Sequence, residues 1–146
     1  MPSQEITRYR VRVRFGDTDL MGIVHHAVYL SYFEAGRVEY LRRRGVEADG
    51  WAARGLHFPV VDAKLRYHKP ARFDQLLVVE TWVSKLTRVT LEFSYRVCRA
   101  SDAVLLVEGS TLLACVGETH RPVRIPSDIA ECIRGPEGSP RPESEV

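Results

Sequence analysis

The chain has 146 residues, of which 45% are hydrophobic and 27% are charged, and its formal net charge is +2. This length and composition are typical of one globular domain that folds without a disulfide or a metal. No uninterrupted apolar run is longer than that of residues 103–107, whereas a membrane-spanning helix needs about 20 apolar residues. The net charge is too small to indicate nucleic-acid binding.

The first predicted element is a β-strand over residues 8–15, because apolar and basic side chains alternate there. Its apolar face consists of Tyr9, Val11, Val13 and Phe15. Residues 16–19 break the alternation and predict a polar turn.

A long helix is predicted over residues 27–44, where apolar side chains recur at spacings of three and four. Gly36 indicates that a sheet approaches this helix closely, since a glycine inside a helix otherwise costs about 1 kcal/mol. Three arginines ending at Arg44 complement the negative end of the helix dipole, and Gly45 ends the helix. No Ser, Thr, Asp or Asn stands directly at the helix start. The first N–H groups there bind water or an upstream carboxylate, or they face a ligand oxygen.

Strands dominate the rest of the chain. One helical turn is predicted within residues 48–56, strands over 61–67, 77–83, 89–97 and 103–116, and a short helix over 126–133. Gly109 is a candidate β-bulge. One strand, one helix and four strands with short connections predict an α+β domain with an antiparallel sheet, spanning residues 1–134. Residues 135–146 are rich in Pro, Gly and Ser and predict a disordered tail.

Several classes of chemistry lack support in the sequence. The three cysteines contain no C-x-x-C pair and predict reduced thiols, and therefore a cytoplasmic protein. The sequence has no G-x-S-x-G motif, no glycine-rich phosphate loop and no histidine pair at metal-ligand spacing. These absences leave zinc catalysis with little support in the sequence.

A cluster of reactive groups surrounds the predicted helix start. It consists of Asp17, Asp19, His25, His26 and Tyr29. A carboxylate in a dry pocket acts as a nucleophile or general base, and free N–H groups at a helix start stabilise an oxyanion. The cluster suits acyl transfer or hydrolysis. The alternative is structural: the carboxylates cap a turn, the histidines belong to a loop, and the tyrosine belongs to the core.

Residues 12–29 resemble the signature of the 4-hydroxybenzoyl-CoA thioesterase family: R-V, four residues, T-D, two residues, G-I-V, one residue, H, two residues, Y. The likeness covers roughly residues 8–116. It implies a hotdog fold, in which a five-stranded antiparallel sheet wraps around one long central helix. It also implies a homodimer with active sites at the subunit interface, assembled into a homotetramer. The implied activity is that of a thioester hydrolase acting on acyl-CoA without a metal or a cofactor.

The resemblance also assigns roles to individual residues. The family's acidic catalyst falls on Asp19, as nucleophile or general base, and the N–H of His26 falls where the family polarises the thioester carbonyl. His25 and Tyr29 complete the expected catalytic group. The expected substrate-binding residues are Gly22, Val24, Lys69, Arg72 and Arg88, the basic ones as cations for the CoA phosphates, with Arg121 and Arg124 as further candidates.

The pair His25-His26 is most similar to the YbgC-like branch of this family, which handles assorted acyl-CoAs. Short-chain, medium-chain and aromatic acyl groups are therefore all open as substrates. The alternatives are a polyketide-type or acyl-carrier-protein thioesterase, a hotdog dehydratase, and a non-catalytic module that binds acyl-CoA. The acid at Asp19 favours catalysis over the binding module.

Overall fold

The computed structural model describes residues 5–46 and 48–138. The strands are β1 (Thr7–Arg12), β2 (Val60–Tyr67), β3 (Leu76–Leu86), β4 (Thr90–Arg99) and β5 (Leu105–Ala114), and the helices are α1 (Val28–Arg42), α2 (Ala48–Ala53) and α3 (Ser127–Arg134). The strands form one antiparallel sheet in the order β1-β3-β4-β5-β2. The predicted α+β class and five-stranded sheet are confirmed.

The central helix is shorter than predicted. The sequence predicted residues 27–44, whereas α1 has 15 residues, which corresponds to about 22 Å. The chain leaves the helix through a turn that ends at Gly45, whose φ of +80° is one that residues with a side chain rarely adopt. The first predicted strand ends early as well, because the chain turns into a short 3-10 segment, Phe15–Asp17, after β1.

The sheet packs its inner face against α1. The ring of Phe33, on α1, stacks on the ring of Tyr95 in β4, with centroids 4.1 Å apart and planes 2° from parallel. A Cβ on Gly109 would collide with the carbonyl oxygen of Lys64 and would lie 2.9 Å from the Phe33 ring. The irregularities in strand register lie elsewhere. The bulge predicted at Gly109 is therefore wrong, and close packing of the sheet and helix explains this glycine instead.

Gly36 lies where α1 crosses β3, as predicted. A Cβ at this position would collide with the Oγ1 of Thr81 and would lie 2.8 Å from Cγ1 of Val79. Both neighbours belong to β3 and are fully buried. Helix and sheet therefore approach each other as closely as they do only because this position has no side chain.

We expect Gly36→Ala to lower the free energy of unfolding by about 2 kcal/mol, because overpacking costs about 1–3 kcal/mol and outweighs the gain in helix propensity. Urea unfolding followed by circular dichroism measures this change. Gly50→Ala is the matched control, since no atom lies within 4 Å of a Cβ added there. Equal stability of the two variants would contradict the packing assigned to Gly36.

The first residues of the predicted tail lie against the domain. The N–H of Gly138 donates to the carbonyl oxygen of Arg43 over 2.7 Å, and the carboxylate of Glu137 accepts a hydrogen bond from Thr7 Oγ1 over 2.6 Å. Residues 139–146 lie outside the described residues, so their disorder stays a prediction.

The thiols differ in exposure. Cys115 is buried, Cys98 is half-buried and Cys132 is exposed on α3. Among the helices that the structure describes, none combines the length and the apolar character needed to cross a bilayer.

Candidate active site

Residues 18–24 form a small hairpin that carries Asp19. The Asp19 N–H donates to the carbonyl oxygen of Ile23 over 2.9 Å, and the Asp19 carbonyl accepts from the N–H of Gly22 over 3.0 Å. Gly22 has a φ of +76°, so a side chain there would strain the turn. Gly22 thus shapes the loop that presents Asp19.

The carboxylate of Asp19 is exposed and held by its own loop. Its Oδ1 accepts a hydrogen bond from the N–H of Met21 over 2.8 Å, while Oδ2 accepts none from the residues that the structure describes. One oxygen therefore orients the group and the other is free to meet a substrate. A single chain does not provide the dry pocket that the sequence predicted, because Asp19 faces solvent.

The start of α1 has an unusual cap. Ala27 is the N-cap residue, and its side chain makes no capping hydrogen bond. Instead, Nδ1 of His25 accepts the N–H of Ala27 over 3.2 Å. The N–H of His26 has no hydrogen-bond partner among residues 5–46 and 48–138. The N–H of His26 is thus free, among the described residues, at the positive end of the helix dipole. This is compatible with the alternative in which a donor at the helix start faces a ligand oxygen.

Two tyrosines fix this helix start. Tyr67, at the end of β2, donates its hydroxyl proton to the carbonyl oxygen of His26 over 2.9 Å. Tyr29 is buried, and its hydroxyl oxygen accepts the N–H of Ala71 over 3.3 Å. Burial raises the pKa of Tyr29. Tyr29 therefore lies in the core as an anchor. The contact of Tyr67 with the helix start was not predicted, because nothing in the sequence links the end of β2 to that position.

Val24 joins the hairpin to the segment between β2 and β3. Its side chain is buried, and its N–H donates to the carbonyl oxygen of Ala71 over 2.9 Å. The next pair, Ile23 and Arg72, forms an isolated antiparallel bridge. Arg72 is therefore held beside the Asp19 hairpin, and Lys69 lies exposed on the same segment.

Arg88 lies far from this hairpin within one chain. It occupies the turn between β3 and β4, whereas the hairpin lies near the start of β3, whose 11 residues span roughly 34 Å. Arg121 and Arg124 follow β5 and lie near the Arg88 turn, since the N–H of Ile125 donates to the carbonyl oxygen of Arg88. One chain therefore brings together only some of the expected cations.

Asp17 supports the site from inside. It is 4% exposed, and its Oδ2 accepts hydrogen bonds of 2.9 Å from the N–H of Arg14 and from the hydroxyl of Tyr32. Its carbonyl oxygen accepts the N–H of His25 over 2.9 Å. Burial by itself raises the pKa of Asp17, but these hydrogen bonds and the Arg14 guanidinium outweigh it and hold the pKa below its usual value. An ionised Asp17 thus joins the hairpin to α1.

We expect Asp17→Asn to destabilise the fold by about 2 kcal/mol at pH 7, because hydrogen bonds to a charged group are worth about 1.5–3 kcal/mol. Because the pKa of Asp17 is lower in the folded state, this stabilisation is complete above the unfolded pKa. It is lost as the pH falls through the folded value. Urea titrations at pH 7, 5 and 3 measure the free energy of unfolding, and the difference between wild type and variant should shrink in acid. A difference in this free energy that stays constant over the range would contradict an ionised Asp17.

No group of three or more His, Cys, Asp or Glu side chains in the described part of the chain is arranged to hold a metal ion. The chemistry available at the site is that of a free carboxylate oxygen and a free backbone N–H. Together these can attack or hydrate a carbonyl carbon and stabilise the oxyanion that results.

Comparison with known proteins gives this geometry a context. The model of the thioesterase superfamily matches residues 21–106 and begins two residues after Asp19. The acyl-CoA thioesterase YbgC of Haemophilus influenzae is 35% identical over 123 residues, which are 83% of this chain and 89% of that protein.

Solved structures agree with the architecture. The crystal structure of a hypothetical protein from Thermus thermophilus is similar with a TM-score of 0.83 and 42% identity, over 87% of this chain and 96% of that one. A DHNA-CoA thioesterase from Staphylococcus aureus also has a TM-score of 0.83, with 28% identity over 87% of each chain.

Proposed function

Since the chain belongs to the thioesterase superfamily, we propose that it hydrolyses the thioester of an acyl-CoA to the free acid and CoA. This membership confirms the resemblance drawn from residues 12–29. The observation that carries the proposal is the free Oδ2 of Asp19 on a hairpin that ends two residues before the free backbone N–H of His26, both free among the described residues.

The proposed chemistry needs only these two groups and water. The thioester carbonyl oxygen accepts the N–H of His26, which stabilises the negative charge that develops there. Asp19 either attacks the carbonyl carbon, giving an anhydride that water then opens, or takes a proton from the attacking water. The carbon–sulfur bond breaks, the CoA sulfur leaves and is protonated, and the acyl group departs as the acid. Nδ1 of His25 accepts the N–H of Ala27. His25 therefore orders the helix start next to the free N–H of His26.

We also propose that two copies of the chain complete the site. β2 is an edge strand of the described sheet, and nearly all its residues are exposed, among them Val60 at 43%, Val61 at 57% and Tyr67 at 49%. The unpaired N–H and C=O groups of an exposed edge strand favour pairing with another strand. We propose that two β2 strands pair antiparallel about a two-fold axis near the middle of the strand, the register that sets Tyr67 of one copy opposite Val60 of the other. The tetramer and the cytoplasmic location stay predictions.

This pairing gives the acyl group a place to bind. A mainly apolar cavity of about 530 Å³ lies between α1, α2 and the start of β2, with Leu41, Trp51, Phe58 and Leu113 in its wall. Within one chain it lies near Val60, roughly 24 Å along β2 from Tyr67 and the helix start. In the dimer, the cavity of one copy lies beside the Asp19 hairpin of the other. Its volume is in the range of small-molecule sites.

The substrate is proposed to be a short-chain, medium-chain or aromatic acyl-CoA. The competing carrier is an acyl carrier protein. The acyl group and the carrier are both tested by measuring kcat/KM for a panel of acyl groups, each presented on CoA and on the carrier protein. We expect the CoA thioesters to be the better substrates. Hydrolysis confined to the carrier-protein thioesters would show that the carrier is the acyl carrier protein and not CoA.

A further inference from the structure

Two peptide groups meet at His26, and hydrogen bonds hold both of them. In the first, the carbonyl oxygen of His25 accepts the N–H of Val28 over 2.9 Å. In the second, the N–H of Ala27 donates to Nδ1 of His25 over 3.2 Å, and the carbonyl oxygen of His26 accepts the hydroxyl proton of Tyr67 over 2.9 Å. Because each peptide group is planar, these bonds fix the direction in which the free N–H of His26 points.

The helix itself does not hold the carbonyl group of His26. In a regular α-helix this oxygen would accept the N–H of Leu30, four residues later. Leu30 donates instead to the carbonyl oxygen of Ala27 over 3.2 Å, the tighter pattern of a 3-10 turn. Tyr67 supplies the bond that the helix omits, from the end of β2 and 41 residues away in the chain. The helix start is therefore held from the sheet as well as from its own turn.

The ring of Tyr67 is also the first in a row of three aromatic rings. Its centroid lies 5.7 Å from that of Tyr29, and Tyr29 makes a T-shaped contact of 5.7 Å with Tyr32. Tyr29 and Tyr32 are buried, and the hydroxyl of Tyr32 donates to Asp17 over 2.9 Å. Asp17 stands two residues before Asp19. The tyrosine row therefore connects the helix start to the hairpin that carries the reacting carboxylate.

We propose that Tyr67 is a positioning residue for the hydrolysis, because its hydroxyl holds the peptide after His26 and so aims the N–H of His26 at the oxyanion. This inference rests on the proposed function and extends it. A donor that is aimed in advance stabilises the developing charge without reorganising during the reaction. Since the oxyanion develops only in the transition state, loss of this aim lowers kcat and leaves KM near that of wild type.

The test replaces Tyr67 with phenylalanine, which keeps the ring next to Tyr29 and removes only the hydroxyl. We expect kcat to fall about 10-fold, less than the roughly 100-fold cost of a 1 Å misplacement, with KM unchanged. NMR relaxation without substrate gives a second readout. The order parameter of the His26 amide should be about 0.85 in wild type, the value of rigid backbone, and should fall toward about 0.6 in Tyr67→Phe.

Tyr40→Phe is the matched control. The hydroxyl of Tyr40 also donates to a backbone carbonyl oxygen, that of Ile133, over 2.8 Å. It lies near the other end of α1, roughly 18 Å from the helix start. Because this hydrogen bond is buried, we expect the control variant to lose thermal stability. It should keep the kcat of wild type and the order of the His26 amide.

Three results would each overturn the inference. They are a wild-type kcat in Tyr67→Phe, a loss of kcat that Tyr40→Phe shares equally, and an unchanged order parameter of the His26 amide in Tyr67→Phe. Each of them leaves the proposed hydrolysis standing. Conversely, a wild type that hydrolyses no thioester would refute the proposed function, whereas the order of the His26 amide would still show whether Tyr67 holds it.

Discussion

Replacing Asp19 with asparagine is expected to lower kcat for thioester hydrolysis at least about 100-fold, the lower end of what a general base or nucleophile contributes. Asparagine keeps the oxygen that accepts the N–H of Met21, so the hairpin should keep its shape. It lacks the charge needed to attack a carbonyl or to deprotonate water. The thermal midpoint of the variant should therefore stay close to that of wild type.

Asp102→Asn is the matched control. Asp102 occupies an equivalent turn, since its Oδ1 accepts the N–H of Val104 two residues later. It lies between β4 and β5 and has no role in the proposed chemistry. We expect its kcat to stay within twofold of wild type. Full activity in Asp19→Asn, or an equal loss in both variants, would refute the assignment of Asp19.

Replacing Arg44 with alanine is expected to lower the free energy of unfolding by about 3 kcal/mol. The hydrogen bonds of a charged group are worth about 1.5–3 kcal/mol each, and the desolvation cost of the buried guanidinium, which the variant no longer has, offsets part of their sum. The Arg44 side chain is fully buried. It donates to the carbonyl oxygens of Gly135 and Tyr40 and to Oγ1 of Thr7, and its guanidinium lies 3.4 Å from the centroid of the Tyr40 ring. It thus joins β1 and the end of α3 to the end of α1.

Arg54→Ala is the control for this prediction. Arg54 forms an ion pair with Asp128, and both side chains are largely exposed. Replacing Arg54 should therefore change the unfolding midpoint little. Urea unfolding of both variants at pH 7 provides the comparison. If Arg44→Ala unfolds at the same urea concentration as Arg54→Ala, the buried guanidinium does not hold the termini on α1.

Elements with a clear period were predictable from the sequence. The strands and helices lie within three residues of their predicted positions, and Gly36 was correctly assigned to a close helix–sheet approach. The alternation at β1 extends past the true end of the strand, so Phe15 was wrongly placed on the apolar face of that strand, whereas it lies beyond the strand and is exposed. The period of a strand does not show where its hydrogen-bonded partner ends.

Roles that depend on distant contacts were not predictable. Arg44 was interpreted only as a cation near the helix end, because its partners Thr7 and Gly135 are remote in sequence. Asp17 was left open between a reactive carboxylate and a turn cap. Its burial and its hydrogen bond from Tyr32 make it the link between the hairpin and α1. The site shows the same limit. The sequence placed Asp19 and His26 near the helix start, whereas the edge through which two copies are proposed to pair was recognised only from the exposure of β2.

Thioester hydrolysis is best tested by measuring free CoA and free acid together, released from a panel of acyl-CoA thioesters by the purified wild-type protein. We expect the two products in equal amounts, with turnover on at least one short-chain, medium-chain or aromatic substrate. If the protein binds CoA but hydrolyses no thioester, on CoA or on a carrier protein, the chain is a binding module and the proposed hydrolysis is wrong.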